Sequence, residues 1–259
     1  MYTEGYVRNR SYETTSFFVI LPPFYFVGAQ SEMTLRKRYS YIAFYDLDRT
    51  IFTGNSATSL VAEARNRGIM NGRQFRHALY LSLLYKLDWQ DPARIITRML
   101  TWLKGMTETA ARQLCLEVFE NNLRQTIRPE ITREMQKHRD NLGANVLLSS
   151  ATSLICEPVA AHLHLEDVIC TRLEADNGIL TGATRGKLVY GREKKTRLTD
   201  YCRKEGHKPA ESYYYGDSKT DVYVMETVGH PVAVCPDQRL LEVARKRDWR
   251  VLEVSDPSG

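Results

Sequence analysis

Asp46 and Asp48 stand two positions apart in the stretch FYDLDRTIF, Asp46 ending the aromatic and aliphatic run YSYIAFYD. An aspartate is a competent covalent nucleophile toward phosphorus. A second carboxyl two positions on reaches the same mouth if the chain turns at Leu47. There it can protonate a leaving alcohol and then take a proton from water. Such pairs are common in loops, so the weight falls on their companions. Thr50 completes D-x-D-x-T, Ser150 ends the run NVLLSS, Lys194 or its neighbour Lys195 lies in YGREKKTRL, and Asp217 and Asp221 lie in YYGDSKTD. Carboxylates drawn into one mouth raise one another's pKa. A hard cation such as Mg²⁺, which takes oxygen ligands and sits between carboxylates and a phosphate, relieves that repulsion. A lysine opposite the cation, with hydroxyl and backbone donors, holds the remaining phosphoryl oxygens.

Positioning these groups requires strands that end on them. Residues 39–46 read as a buried strand, rich in aromatic residues and bounded by charge. A helical region follows: Leu60, Val61 and Ala64 recur at helical spacing, 75–87 is apolar all round and predicts a buried helix, and Asp91-Pro92 caps another. Helices from Thr107 and from Pro129 complete it, with Tyr80, Tyr85, Trp89 and Trp102 expected in its core. Beyond it the chain alternates. Strands are predicted at 145–150, 167–170, 212–217, 231–235 and 250–254, with helices between them and a β excursion turning at Asn177-Gly178. The layout is that of an α/β protein, a Rossmann-like parallel sheet interrupted after its first strand by an inserted α-helical cap. Open α/β sheets place ligands outside the carboxyl ends of their strands, and Asp46, Ser150 and Asp217 stop three separate strands there.

Bulk composition narrows the function classes. The 259 residues suffice for one sizeable core plus an insert, and 43% hydrophobic with 26% charged residues excludes disorder as the main state. Net charge is +5, but 36 Lys and Arg are interspersed with 31 Asp and Glu, and compact basic runs are as short as RKR at 36–38. That pattern argues against a nucleic-acid partner, which favours charge concentrated on one face. Five scattered cysteines without a C-x-x-C pair fit a reducing compartment, hence a cytoplasmic protein. The run FFVILPPFYFV at 17–27 is too short to span a bilayer. Residues 1–29 keep export or peripheral membrane contact open as the alternative.

The four segments, in this order, resemble the haloacid-dehalogenase-like phosphohydrolases, in the phosphoserine-phosphatase-like branch with a helical cap. The likeness covers about residues 40–250. It implies Asp46 as nucleophile and metal ligand, and Asp48 as acid/base and as a ligand through its backbone carbonyl. Thr50 would orient the loop. LLSSAT places the phosphate-binding hydroxyl at Ser150 rather than Ser149, and G-x-x-K selects Lys194 over Lys195. Asp217 would bind Mg²⁺, and Asp221 would support the metal site. The resemblance divides the chain into a leader (1–38), a catalytic core (39–54 and 139–254) and a cap (55–138).

The expected substrate is a small phosphorylated metabolite. Phosphoserine phosphatases place a glutamate nine residues after the nucleophile to hold the substrate's ammonium; this chain has Asn55 there. Asn55, Arg65, Arg73 and Arg76 are the specificity candidates. The alternatives are phosphotransfer to an alcohol, a lipid-phosphate phosphatase, and a catalytically silent module that binds a phosphate ligand.

Overall fold

The computed structural model describes residues 38–87 and 92–253. The leader through residue 37, Trp89, the cap residue Asp91 and the end of the last expected strand lie outside the described residues.

Strand β1 (Tyr41–Tyr45) is central because both of its faces are apolar. Ile42 and Phe44 enter one core and Ala43 and Tyr45 the other, all fully buried. A strand buried on both sides needs a near-continuous apolar run rather than an alternating one. Among the described residues it lies in a six-stranded sheet of order β3-β2-β1-β6-β7-β8. The others are β2 (Gly143–Thr152), β3 (Asp167–Thr171), β6 (Tyr213–Gly216), β7 (His230–Val234) and β8 (Arg250–Leu252), and every pairing in the sheet is parallel. The order reverses beside β1, and a crevice outside the strand ends is expected there. β2 extends two residues beyond its predicted span at each end, so Ser150 sits inside the strand.

Between β1 and β2 the chain forms α1 (Ser56–Asn66), α2 (Gly72–Leu87), α3 (Pro92–Met99), α4 (Glu108–Val118) and α5 (Pro129–Asp140). α2 corrects the expectation of an all-round buried helix. Ala78, Leu81 and Leu84 turn inward, the two leucines packing with Ile95, while Leu79, Tyr80 and Leu83 are each more than half exposed. Its neighbours α1 and α3 leave another apolar side of the helix facing solvent. Tyr80 is therefore not a core residue.

The two chain segments joining this insert to the sheet run side by side. Phe52 bridges Ile127 antiparallel, Thr53 N–H donates to Thr126 O (2.9 Å) and Arg128 N–H donates to Ile51 O (2.8 Å). The predicted β excursion is a two-stranded antiparallel ribbon, β4 (Leu173–Asp176) and β5 (Ile179–Thr184). Asn177 and Gly178 both have positive φ at its turn (48° and 77°), as a type I′ hairpin demands. Its tip meets the insert, where Leu180 N–H donates to Met106 O (2.8 Å) and Glu108 N–H donates to Gly178 O (2.9 Å).

After the ribbon, α6 having linked β2 to β3 (Ser153–Leu163), the chain forms α7 (Arg192–Glu205), α8 (Val222–Met225) and α9 (Gln238–Lys246). Leu198 and Cys202 of α7 pack on Val146 and Leu148 of β2. No helix among the described residues is long and apolar enough to cross a membrane.

Candidate active site

β1 delivers Asp46 to the carboxyl edge of the sheet, with Asp46 N–H still bonded to Tyr215 O (2.9 Å). The chain then coils tightly through Leu47–Ile51, and Arg49 takes a left-handed conformation (φ 61°). That turn separates the two carboxyls. Asp46 is buried under the sheet edge, and Asp48 faces the start of α1.

Asp46, Asp217 and Asp221 are buried and offer oxygens within 4.8 Å of one another. Lys194, in the first turn of α7, is their cation. Its Nζ lies 2.8 Å from Asp221 Oδ1 and 2.9 Å from Asp46 Oδ1. The Asp221 contact is a hydrogen bond, whereas the Asp46 contact is close but off the hydrogen-bonding direction, leaving Oδ1 buried without such a bond. Lys195, next along the helix, is exposed.

Burial raises the Asp46 carboxyl above its ordinary range, against the pull of Lys194 and with added repulsion from Asp221. Burial, then Asp221 and Asp46, push Asp217 well up. Burial alone would lower Lys194, but Asp221 and Asp46 outweigh it and hold the ammonium charged. Three carboxylates against one ammonium leave two formal negative charges in a closed space. That surplus and the all-oxygen donor set fit a hard divalent cation.

Asp221 has little capacity left for direct ligation. Its Oδ1 accepts from Lys194 and from Tyr214 Oη (2.7 Å), and its Oδ2 from Ser218 Oγ (3.3 Å). It also packs against Gly216, where a Cβ would come within 2.8 Å of Asp221 Oδ2, so the glycine of YYGD is a close-approach residue. Asp237 N-caps α9 through Leu240 N–H (2.7 Å), and its other oxygen receives Lys219 N–H (3.0 Å), tying down the loop after Asp217.

Asp48 is held by α1. Ser56 N–H donates to Oδ1 (2.7 Å) and Asn55 Nδ2 to Oδ2 (3.1 Å). Burial raises its pKa to about 6, opposed by the Ser56 hydrogen bond. A carboxyl titrating there is able to both give and take a proton near neutral pH.

Other predicted residues are placed differently. The buried Thr50 hydroxyl has no hydrogen-bond partner among the described residues, and backbone bonds such as Arg49 N–H to Gly54 O (2.9 Å) also hold the loop. Ser149 is buried and its Oγ accepts Ala151 N–H (3.3 Å), while Ser150 is half-buried. Arg65, Arg73 and Arg76 are exposed on α1 and α2, and Arg65 donates to Met70 O.

Two residues escaped the sequence reading. Arg128 is buried in the returning connection, and its Nε has no hydrogen-bond partner among the described residues. Tyr214, fully buried on β6, accepts from Lys194 Nζ (3.0 Å) while donating to Asp221. The run SYYYGD held a signal for it, since a buried tyrosine hydroxyl needs a partner. Tyr215 turns to the other face and donates to Glu134 (2.9 Å), so alternation leaves Tyr214 for the Lys194 side. Tyr214→Phe is expected to cost about 1–3 kcal/mol, because hydrogen bonds to charged groups are lost. Denaturant unfolding with the cation chelated measures it.

Residues 43–226 match the family described as haloacid dehalogenase-like hydrolase. The chain is 28% identical over 220 residues to the Streptomyces azureus inhibition of morphological differentiation protein, covering 83% of this chain and 79% of that one. It is also 28% identical over 214 residues to the Mycobacterium tuberculosis phosphoserine phosphatase SerB1, covering 81% and 69%. A crystal structure of a protein from Bordetella pertussis Tohama I superposes with a TM-score of 0.76 at 23% identity, over 82% of this chain and 97% of the other. With the match spanning most of the chain and both strand-end carboxylate groups inside it, this protein belongs to the haloacid dehalogenase-like hydrolases.

Proposed function

We propose that this phosphatase hydrolyses the phosphomonoester of a small metabolite through an aspartyl-phosphate at Asp46. The observation carrying the reading is the buried Asp46–Asp217–Asp221 group with Lys194 at its centre. In the first step an Asp46 carboxylate oxygen attacks phosphorus, the bond to the leaving oxygen breaks, and Asp48 gives that oxygen its proton. In the second, water attacks the same phosphorus, its proton passes to Asp48, and the acyl-phosphate bond breaks to free Asp46 and phosphate.

Asp46, Asp217 and the Asp48 backbone carbonyl would hold Mg²⁺, with Asp221 supporting them, and the cation would screen the phosphoryl charge from the attacking carboxylate. Lys194 and Ser150 would hold the remaining phosphoryl oxygens. Ser150 stands half-buried at the carboxyl end of β2, where the pairing with β3 shifts register between Ser149 and Thr152. Thr50 would shape the loop that carries both aspartates. Residues 55–138 would act as the cap over a core of 39–54 and 139–254. In this reading the protein works in the cytoplasm, with residues 1–38 outside the catalytic unit.

Phosphoserine is a poor candidate, because the amide of Asn55 meets Asp48 where an ammonium-binding carboxylate would be needed. Arg65, Arg73 and Arg76 would act on substrates only from the solvent-exposed side of the cap. Interception of the acyl-phosphate by an alcohol would make the protein a phosphotransferase, and product analysis with added alcohols separates the two outcomes.

A screen of amino-acid, sugar, nucleotide and lipid phosphates tests the whole reading. Phosphate release should require Mg²⁺, stop with a chelator, and favour a water-soluble metabolite. Preference for lipid phosphates would transfer the reading to that class. Absence of turnover on all of them, with phosphate esters still bound, would favour the binding-only alternative.

A further inference from the structure

We infer that Asn55 is a positioning residue for Asp48, coupling the first cap helix to proton transfer at the leaving group, rather than a reader of the substrate. The inference rests on the hydrolytic reading above. Its basis is that both ends of one amide are engaged. Asn55 Oδ1 accepts Thr58 N–H (3.0 Å) and Thr58 Oγ1 (3.3 Å), capping α1. Asn55 Nδ2 donates to Asp48 Oδ2 (3.1 Å), while the adjacent Ser56 N–H donates to Asp48 Oδ1 (2.7 Å).

The carboxyl of Asp48 is thus fixed at both oxygens by two successive residues at the start of one helix. A side chain already occupied at both ends has little left to offer a substrate. An asparagine suits this place for a chemical reason. Its oxygen can cap the helix while its nitrogen donates to a carboxylate. Aspartate caps equally well but has no donor, and its charge would face Asp48. Glutamate, in the same position, would present a carboxylate to the mouth instead of a donor to Asp48. The coupling also has a route. Asn55 closes the short connection that begins at Phe52, and that connection is pinned to the returning segment at Ile127 and Thr126. The orientation of the proton donor is thereby tied to where α1 sits.

The function of a correctly placed acid is to protonate a poor leaving group. Its misplacement therefore slows esters of basic alcohols and spares esters whose leaving group departs as an anion. The test uses the full chain with Mg²⁺ and two probes, phenyl phosphate and p-nitrophenyl phosphate. It compares kcat/KM, which reports steps through cleavage of the ester bond. Asn55→Asp retains the helix cap and Asn55→Ala removes both functions; thermal melting confirms that each is folded. For Asn55→Asp, kcat/KM on phenyl phosphate should fall on the order of tenfold, through kcat, with p-nitrophenyl phosphate nearly unaffected. Asn55→Ser, which caps α1 but is too short to reach Asp48, should reproduce that selectivity without adding a charge.

Equal losses on both esters would show a structural role and overturn the inference. So would a rise in KM with kcat unchanged, the mark of a residue that binds substrate. Should the unaltered chain turn over neither ester, the hydrolytic reading falls and takes the inference with it. Turnover by the unaltered chain with no leaving-group selectivity in the variants rejects the inference alone.

Discussion

Asp46→Asn should lower phosphate release by at least about 10⁴-fold while leaving the protein folded, because it removes the proposed nucleophile and little else. The amide has the shape of the carboxylate it replaces. What changes is charge in a place that disfavours it, since burial, with Asp221 beside it, pushes the Asp46 carboxyl up. A carboxyl whose folded pKa is raised costs stability wherever pH lies above the unfolded value, and that cost is absent once both states are protonated. The variant should therefore melt at or above the temperature of the unaltered protein near neutral pH without Mg²⁺, and the difference should close on acidification. The increase in melting temperature produced by Mg²⁺ should shrink, since one proposed ligand oxygen has lost its charge. Activity and melting curves together decide the matter. Loss of turnover with stability kept identifies a chemical role, and unchanged turnover rejects Asp46 as nucleophile.

The parts of this site that could be read in sequence are those imposed by one strand or one short loop. Asp46 and Asp217 each follow an aromatic strand directly, so the same pattern that predicts the strand places the carboxylate at its end. The hairpin turn was legible because Asn177-Gly178 satisfies two consecutive positive φ angles. Legibility ends where a residue's role depends on which distant element packs opposite it. Tyr213, Tyr214 and Tyr215 are the same residue type, and only the placement of α7 on one sheet face makes Tyr214 the partner of Lys194. Apolar periodicity in 75–87 was real, but the number of helices available to cover it is a tertiary property, and three large side chains stay exposed. Asn55 stands out in sequence for what it replaces. Its bond to Asp48 comes from the turn through Gly54, which brings position 55 back over position 48.

Lys194→Met should be the most destabilising single change at this site. Among the described residues Lys194 carries the one ammonium in contact with the buried carboxylates Asp46 and Asp221, and breaking a buried ion pair from one side costs about 3–5 kcal/mol. For a domain of this size each kcal/mol corresponds to roughly 2–4 °C, so the melting temperature should drop on the order of 10 °C without Mg²⁺. The sign follows from the direction of the shift. Asp221 and Asp46 hold the Lys194 pKa well above its ordinary value despite burial. Its stabilisation is thus fully present below the ordinary lysine range and is lost only as pH rises through the raised value. At neutral pH the whole contribution is at stake. Acidification should narrow the gap, because Asp46 and Asp217 protonate above the usual carboxylate range and stop repelling one another. Adding Asp221→Asn should restore much of the lost stability, since it removes a charge that Lys194 had balanced. Lys195→Met provides the control: its side chain is exposed, and changing it should leave both melting and turnover near those of the unaltered chain. A large loss in Lys195→Met together with a neutral Lys194→Met would exchange the roles of the two lysines and, with them, the geometry proposed for the phosphoryl group.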